Sequence, residues 1–368
     1  MNSYFLDNKL YQHLYKSLSN YNRQIVYVPI KFNRKSEKLD YNIKNFNIIY
    51  SKIIKKYHKI FYFHKIKILY NDLKNKITLH KIDIVHAHNL FIDGALAYKI
   101  NKLYGIDYIV NIRLTDIELQ YKYMWHRRKL AHKVLNNAKK IIFVSEISKV
   151  KFINLLDKNI SRTIQPKITV IPNGIVEFWH NNKYYRKASL TSPVKLLFVG
   201  RIIKLKNLDN VIKAVNLLND TRHEKYELTV IGGKHPGEEK YFNKLQKLFD
   251  NKHIFYKGKI NSLDNLLIEY RNHDIFVMPS KKELFGIAYI EALSQSLPVI
   301  YSNNQGLDKM FNEGEVGYGC EANNPKDIAD KIISVKHHYK FITSKCVDAV
   351  NSFDWDIITK EYNKIYQL

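Results

Sequence analysis

The sequence predicts an α/β protein made of two doubly wound domains. Three observations carry this. Short apolar runs recur along the chain, each closed by glycine, proline or serine and followed by residues at helical spacing. The rhythm restarts near residue 194, after a polar and aromatic stretch at 176–192 that suits a linker. A chain of 368 residues is long enough for two cores. Strands alternating with helices imply parallel sheets, and such sheets bind ligands beyond the C-terminal ends of their strands.

In the first half, residues 4–19 place Leu10, Leu14 and Leu18 on one helical face, and 23–30 (RQIVYVPI) is a strand. Residues 31–50, with Lys31, Arg34, Lys35 and Lys38, read as an exposed loop. Residues 51–78 read as one basic helix, with nine lysines and one acid, Asp72, between Lys52 and Lys81. Two readings stay open for it. It lies on an anionic membrane, or it packs on the sheet with its lysines solvated. A strand at 81–89 ends in His86 and His88; no third ligand completes a metal set there. A helix from Gly94 to Leu103 and a strand at 107–118 follow, with Arg113, Thr115 and Asp116 toward its end. Next come a basic helix over 121–137, a strand at 139–146, and a strand at 167–175 closed by Pro172-Asn173-Gly174.

The second half opens with strand, loop and helix over 194–218. Gly200 lets the backbone turn, and Arg201 and Lys206 stand in the loop that follows. Two cations beside such a loop can neutralise a diphosphate. Strands at 226–234 and 253–261 follow, the second carrying Lys259 and Ile260. The stretch from Asp274 to Ile300 then combines an apolar strand, a turn with Glu283 and Gly286, and a helix with Glu291. The amides of Phe285, Gly286 and Ile287 at a helix start favour an anion. An acid beside a phosphate cradle repels phosphate and suits neutral sugar or ribose hydroxyls. Residues 350–367 form a final helix, whose Asp354-Trp355-Asp356 reads as part of a cap.

Composition narrows the function. No apolar run reaches the roughly 18–20 residues of a membrane span. The N-terminal MNSYFLDNKLYQ lacks the apolar core of a secretory signal, and Cys320 and Cys346 are too few for a disulfide framework or zinc site, so the cytoplasm is the expected compartment. The net charge of +26 is uneven: residues 1–180 carry 32 Lys+Arg against 12 Asp+Glu. A basic half points to an acidic partner such as a membrane, nucleic acid or phosphorylated substrate. No nucleic-acid-binding module or clustered stacking aromatics is visible, which argues against nucleic acid.

The S-x-x-E-x-F-G turn, the seven residues between Glu283 and Glu291, the following E-A and P-V-I, the G-R…K step of Gly200, Arg201 and Lys206, and V-I-P-N-G-I at 170–175 together resemble the retaining GT-B glycosyltransferases of family 4. The resemblance covers most of 80–368. It implies a GT-B fold: two Rossmann-like domains facing across a cleft, 1–178 on the acceptor side and 179–350 on the donor side, with 351–368 returning to the first. It implies sugar transfer from a nucleotide-sugar, a UDP-sugar first among them, without a cofactor or bound metal. In that reading Arg201 and Lys206 hold the diphosphate, and Glu283 orients sugar hydroxyls. Glu291 takes the ribose, and Lys259 and Ile260 meet the base. The acceptor is a glycan or lipid-linked sugar of surface-polysaccharide assembly; for such an acceptor the basic first half suits an anionic membrane face as the acidic partner. Arg113 stands where many members have histidine, and the family's first strand and glycine-rich loop are not visible, since the first glycine is Gly94. A non-catalytic subunit of the same fold is the rival reading.

Overall fold

A computed structural model describes residues 1–3, 5, 10–33, 45–186, 189–190 and 192–368. The chain divides into two units, Met1–Gly174 with Trp355–Leu368, and Ile175–Asp354. The linker expected at 176–192 is instead part of the second unit. Trp179 is fully buried in the short helix Glu177–Asn181, and Arg186 bonds to Asp274 and to the carbonyls of Tyr270 and Arg271.

In the first unit, β1 (Gln24–Lys31) pairs in parallel with β2 (Phe46–Ile54). A four-stranded parallel sheet runs in the order β3 (Ile84–Ala87), β4 (Asp107–Asn111), β5 (Lys140–Phe143), β6 (Ile168–Val170). Met1 and Asn2 bridge the two sheets. The Asn2 N–H donates to the Tyr27 carbonyl at 3.1 Å, and the His88 N–H donates to the Met1 carbonyl at 3.3 Å. These two residues occupy the place where the resemblance calls for a first strand.

The single basic helix expected over 51–78 is not there. Residues 46–54 are strand, 56–59 a 3₁₀ turn, and only Tyr62–Lys76 is α-helix. Ile48, Ile49, Ile53 and Ile54 are β-branched and favour a strand; the isoleucine and lysine spacing mimicked a helical face. Tyr62, Ile66, Leu69, Tyr70 and Leu73 form the buried side of Tyr62–Lys76, a spacing of three and four that seats one helix face on the unit. The expected loop at 31–50 falls mostly on 34–44, outside the described residues, as do Arg34, Lys35 and Lys38.

The helix Trp355–Tyr366 completes the first unit's core. Trp355, Ile358, Tyr362 and Ile365 pack with Leu14, Leu18, Val26, Val28, Ile109 and Ile142. Fully burying each such side chain contributes about 1.5–3 kcal/mol. Asp356 accepts from the Ser17 hydroxyl at 2.9 Å, a helix-start contact within this core.

The second unit holds a six-stranded parallel sheet in the order β12-β11-β10-β7-β8-β9. The strands are β7 (Val194–Val199), β8 (Tyr226–Ile231), β9 (Ile254–Gly258), β10 (Ile275–Val277), β11 (Val299–Ser302) and β12 (Gly317–Cys320). The central strands are nearly all apolar because helices cover both faces. The order reverses at β7 and β10, the topological switch point where open sheets bind ligands.

Candidate active site

The loops that leave β7 to β11 meet at the C-terminal edge of the second sheet. The Gly200 N–H donates to the Ile231 carbonyl at 2.9 Å, and the Gly232 N–H to the Gly258 carbonyl at 2.8 Å. Lys259 and Ile260 follow directly, the first exposed and the second half-buried. The Lys281 N–H donates to the Leu205 carbonyl at 2.8 Å, which ties the turn carrying Glu283 to the loop carrying Arg201 and Lys206.

That turn is held from several sides. The Glu283 N–H donates to Gln305 Oε1 at 3.1 Å, and the Gly306 N–H donates to the Glu283 carbonyl at 3.0 Å. Gly286 sits at φ +84°, and a Cβ there would stand 2.4 Å from the Tyr289 ring, so only glycine fits. Phe285 is buried against Phe353, with ring centroids 5.7 Å apart, and Ile287 begins the helix Ile287–Leu293.

Two of the predicted residues are in direct contact. Lys206 Nζ lies 2.6 Å from Glu283 Oε2, and both side chains are mostly buried. Arg201 is exposed and lies 3.4 Å from His235 Nε2. Glu291 accepts from the Tyr270 hydroxyl at 3.2 Å, and the Trp179 indole N–H faces its carboxylate without a close bond. Burial pushes the Glu291 carboxyl up to about 7, against the pull of these two donors. The carboxyl therefore exchanges its proton near neutrality, and what binds it gains or loses a hydrogen-bond donor with pH.

Sequence reasoning missed Asn207 and Gln305. Asn207 is buried at φ +64° and donates to the Pro279 and Ala322 carbonyls, which locks the loop behind Lys206. An asparagine directly after the second cation is the signal that could have found it, since asparagine tolerates the left-handed region. Gln305 carries no such mark.

Arg113 and Asp116 lie in the first unit, at the end of β4. Asp116 is fully buried and accepts from the backbone N–H groups of Leu90 at 3.1 Å and Arg113 at 2.9 Å. Burial pushes its carboxyl up to about 7. It stitches the loops after β3 and β4 together, and this bonding makes it a support for Arg113. The Arg113 guanidinium is half-exposed, donates from Nε to the His88 carbonyl at 3.1 Å, and stands 5.3 Å from the Tyr11 ring. His86 bonds Asn111 and Tyr366, each at 2.8 Å, and stacks on His88. Among the described residues no three His, Cys, Asp or Glu side chains gather as a metal ligand set.

Two family descriptions match the chain, Glycosyltransferase Family 4 over residues 32–177 and Glycosyl transferases group 1 over residues 181–344. The chain belongs to these glycosyltransferases. An uncharacterised glycosyltransferase of Methanocaldococcus jannaschii is 26% identical over 301 residues, covering 80% of this chain and 78% of that protein. The O-antigen chain mannosyltransferase B of Escherichia coli is 24% identical over 250 residues, covering 66% of this chain and 64% of that one. Among solved structures, Anabaena HepE in complex with UDP superposes with a TM-score of 0.72 at 15% identity, over 97% of this chain and 95% of that one. This glycosyltransferase has the GT-B fold, and group 1 membership makes it a nucleotide-sugar-dependent transferase. No helix among its described residues is long and apolar enough to cross a membrane.

Proposed function

We propose that this glycosyltransferase moves a sugar from a UDP-sugar to a glycan or lipid-linked acceptor of surface-polysaccharide assembly, with retention of configuration. The observation that carries this reading is the contact between Lys206 and Glu283 at the C-terminal edge of the second sheet. It puts a cation for a diphosphate and a carboxylate for sugar hydroxyls side by side, which is the charge pattern of a sugar diphosphate.

In this reading Lys206 and Arg201 stabilise the charge that grows on the departing diphosphate. Glu283 accepts from hydroxyls of the transferred sugar and holds it in line. The amides of Phe285, Gly286 and Ile287 face the diphosphate, Glu291 accepts from a ribose hydroxyl, and Lys259 and Ile260 border the base. The leaving phosphate takes the acceptor's proton. Arg113, supported by Asp116, steadies the acceptor or its phosphate; as a permanent cation it does not act as a base. The relative that acts as an O-antigen mannosyltransferase and the neighbour that binds UDP support the acceptor class and the nucleotide.

Screening nucleotide-sugars for thermal stabilisation tests the donor, because a ligand of the folded state raises the melting temperature. UDP and one UDP-sugar should stabilise the protein, and that sugar should retain its anomeric configuration in the product. No stabilisation by any nucleotide-sugar would favour the non-catalytic reading.

A further inference from the structure

We propose that the strand-end rim of the first unit, formed by residues 55–63 and 119–128, docks this enzyme on an anionic lipid bilayer. Ile60 is 79% exposed and Trp125 76%, and Phe32, Phe61, Phe63 and Tyr123 lie between 59% and 64%. Single exposed apolar residues are ordinary, but six large ones together mark an interaction surface.

The segments that carry them are neighbours in space. The Phe32 N–H donates to the Ile54 carbonyl at 2.8 Å, so the end of β1 lies beside the start of the 55–61 turn. The Arg127 guanidinium stands 4.2 Å from the Tyr62 ring, which joins the segment carrying Tyr123 and Trp125 to the same turn. All of these residues follow the C-terminal ends of β1, β2 and β4, as Arg113 does.

Charge selects the occupant. Lys55, Lys56, Lys59, Lys67 and Lys122 are exposed around these tips. No aspartate or glutamate occurs between Lys55 and Asn71, or between Leu119 and Ser145. A second copy of so basic a surface would be repelled. Bases at headgroup level with aromatic and aliphatic tips at the acyl boundary are the composition of an interfacial anchor. Single-stranded nucleic acid would call for flat stacking platforms along a groove, whereas the most exposed tip here is the aliphatic Ile60. The helix Tyr62–Lys76 is not the anchor, since its apolar face is buried in the unit. Insofar as the acceptor is lipid-linked, which rests on the proposed function, docking would bring the rim that bears Arg113 to the bilayer; docking itself needs no such acceptor.

The protein carries its own probe. Of its three tryptophans, Trp179 and Trp355 are buried and Trp125 is exposed. Vesicles of equal parts phosphatidylcholine and phosphatidylglycerol should shift tryptophan emission to the blue, brominated lipids should quench it, and Trp125→Phe should abolish both signals. Phosphatidylcholine vesicles alone should give neither. Binding should weaken by roughly tenfold or more in Ile60→Ser/Phe61→Ser and in Lys55→Gln/Lys56→Gln/Lys59→Gln. UDP affinity by calorimetry should stay unchanged in these variants, which separates a failed docking surface from a failed donor site. The proposal is overturned by equal binding to neutral and anionic vesicles, by no binding, or by variants that bind like wild type. It is also overturned if the variants lose an oligonucleotide or acidic polypeptide while keeping vesicles.

Discussion

Lys206 and Glu283 form a direct ion pair, Nζ to Oε2 at 2.6 Å, at the edge of the second sheet. An ammonium group has three donors, so Lys206 can keep this bond and still reach a phosphate oxygen. The two substitutions should therefore separate. Lys206→Met should weaken UDP binding by roughly 10- to 100-fold, the worth of one charge-assisted hydrogen bond of about 1.5–3 kcal/mol. Glu283→Gln should leave UDP binding within about threefold while transfer falls by roughly a hundredfold or more. Calorimetry with UDP and initial rates with the matching UDP-sugar check both. Wild-type turnover in Glu283→Gln would remove the carboxylate from the reaction.

Glu291 sets a pH dependence on binding. Its carboxyl titrates at about 7 because it is buried. Only the ionised form accepts hydrogen bonds through both oxygens. UDP affinity should rise between about pH 6 and 8, and the rise should vanish in Glu291→Gln. A wild-type pH profile in that variant would assign the titration to another group.

Asp116 sets a pH dependence on stability. Its folded pKa of about 7 lies above the ordinary aspartate value. The folded state then binds the proton more tightly than the unfolded chain, so this stabilisation is full below about pH 4 and is lost as pH rises to about 7. Urea unfolding of wild type and Asp116→Asn should show a gap that moves against wild type across that window and is flat above it. Asp116→Ala should cost about 2–4 kcal/mol, since the buried N–H groups of Leu90 and Arg113 lose their acceptor.

Gly306→Ala tests the support of Glu283 without touching its charge. Gly306 sits at φ +37°, and a Cβ there would stand 2.8 Å from Glu283 Cγ and 2.9 Å from the Phe285 carbonyl. The side chain must move or the loop must shift. Transfer should fall by about tenfold or more, because small misplacements of a reacting group are costly, while the melting temperature should drop by only a few degrees. An unchanged rate would mean that the position of Glu283 is not critical.

Arg201 and Lys206 are both available to balance a diphosphate, so transfer should survive excess chelator. Activity lost in chelator and restored by manganese or magnesium would put a metal at the diphosphate.

The second unit was more legible in the sequence than the first, and the reason is physical. Its central strands β7 and β10 are buried along most of their length, so they read as apolar runs, as in LLFV and IFVM. The turn around Glu283 announces itself because Gly286 is required by backbone geometry. In the first unit, β2 is half-buried along most of its length and carries asparagine and lysine, so its isoleucines merged with the helix that follows. Asp116 could be located at the end of its strand, but its burial could not, because its partners are backbone amides of two separate loops. The exposed ring of Ile60, Phe63 and Trp125 was hidden for a related reason. Two segments some sixty residues apart share it, and they are joined through the contact of Arg127 with Tyr62, which no sequence pattern announces.

The helix Trp355–Tyr366 also orders events during synthesis. It completes a core whose other members, from Phe5 to Ile171, are made far earlier. At about 5–20 residues per second, roughly 10–35 s separate Gly174 from Trp355 on the ribosome. Through that interval the first unit has left the exit tunnel with the slot for Trp355, Ile358, Tyr362 and Ile365 open to water. The second unit, contiguous from Ile175 to Asp354, is synthesised within that same interval. The half of the protein that is translated first thus waits for the last helix to complete it, and until then its open slot is the surface that chaperones would recognise.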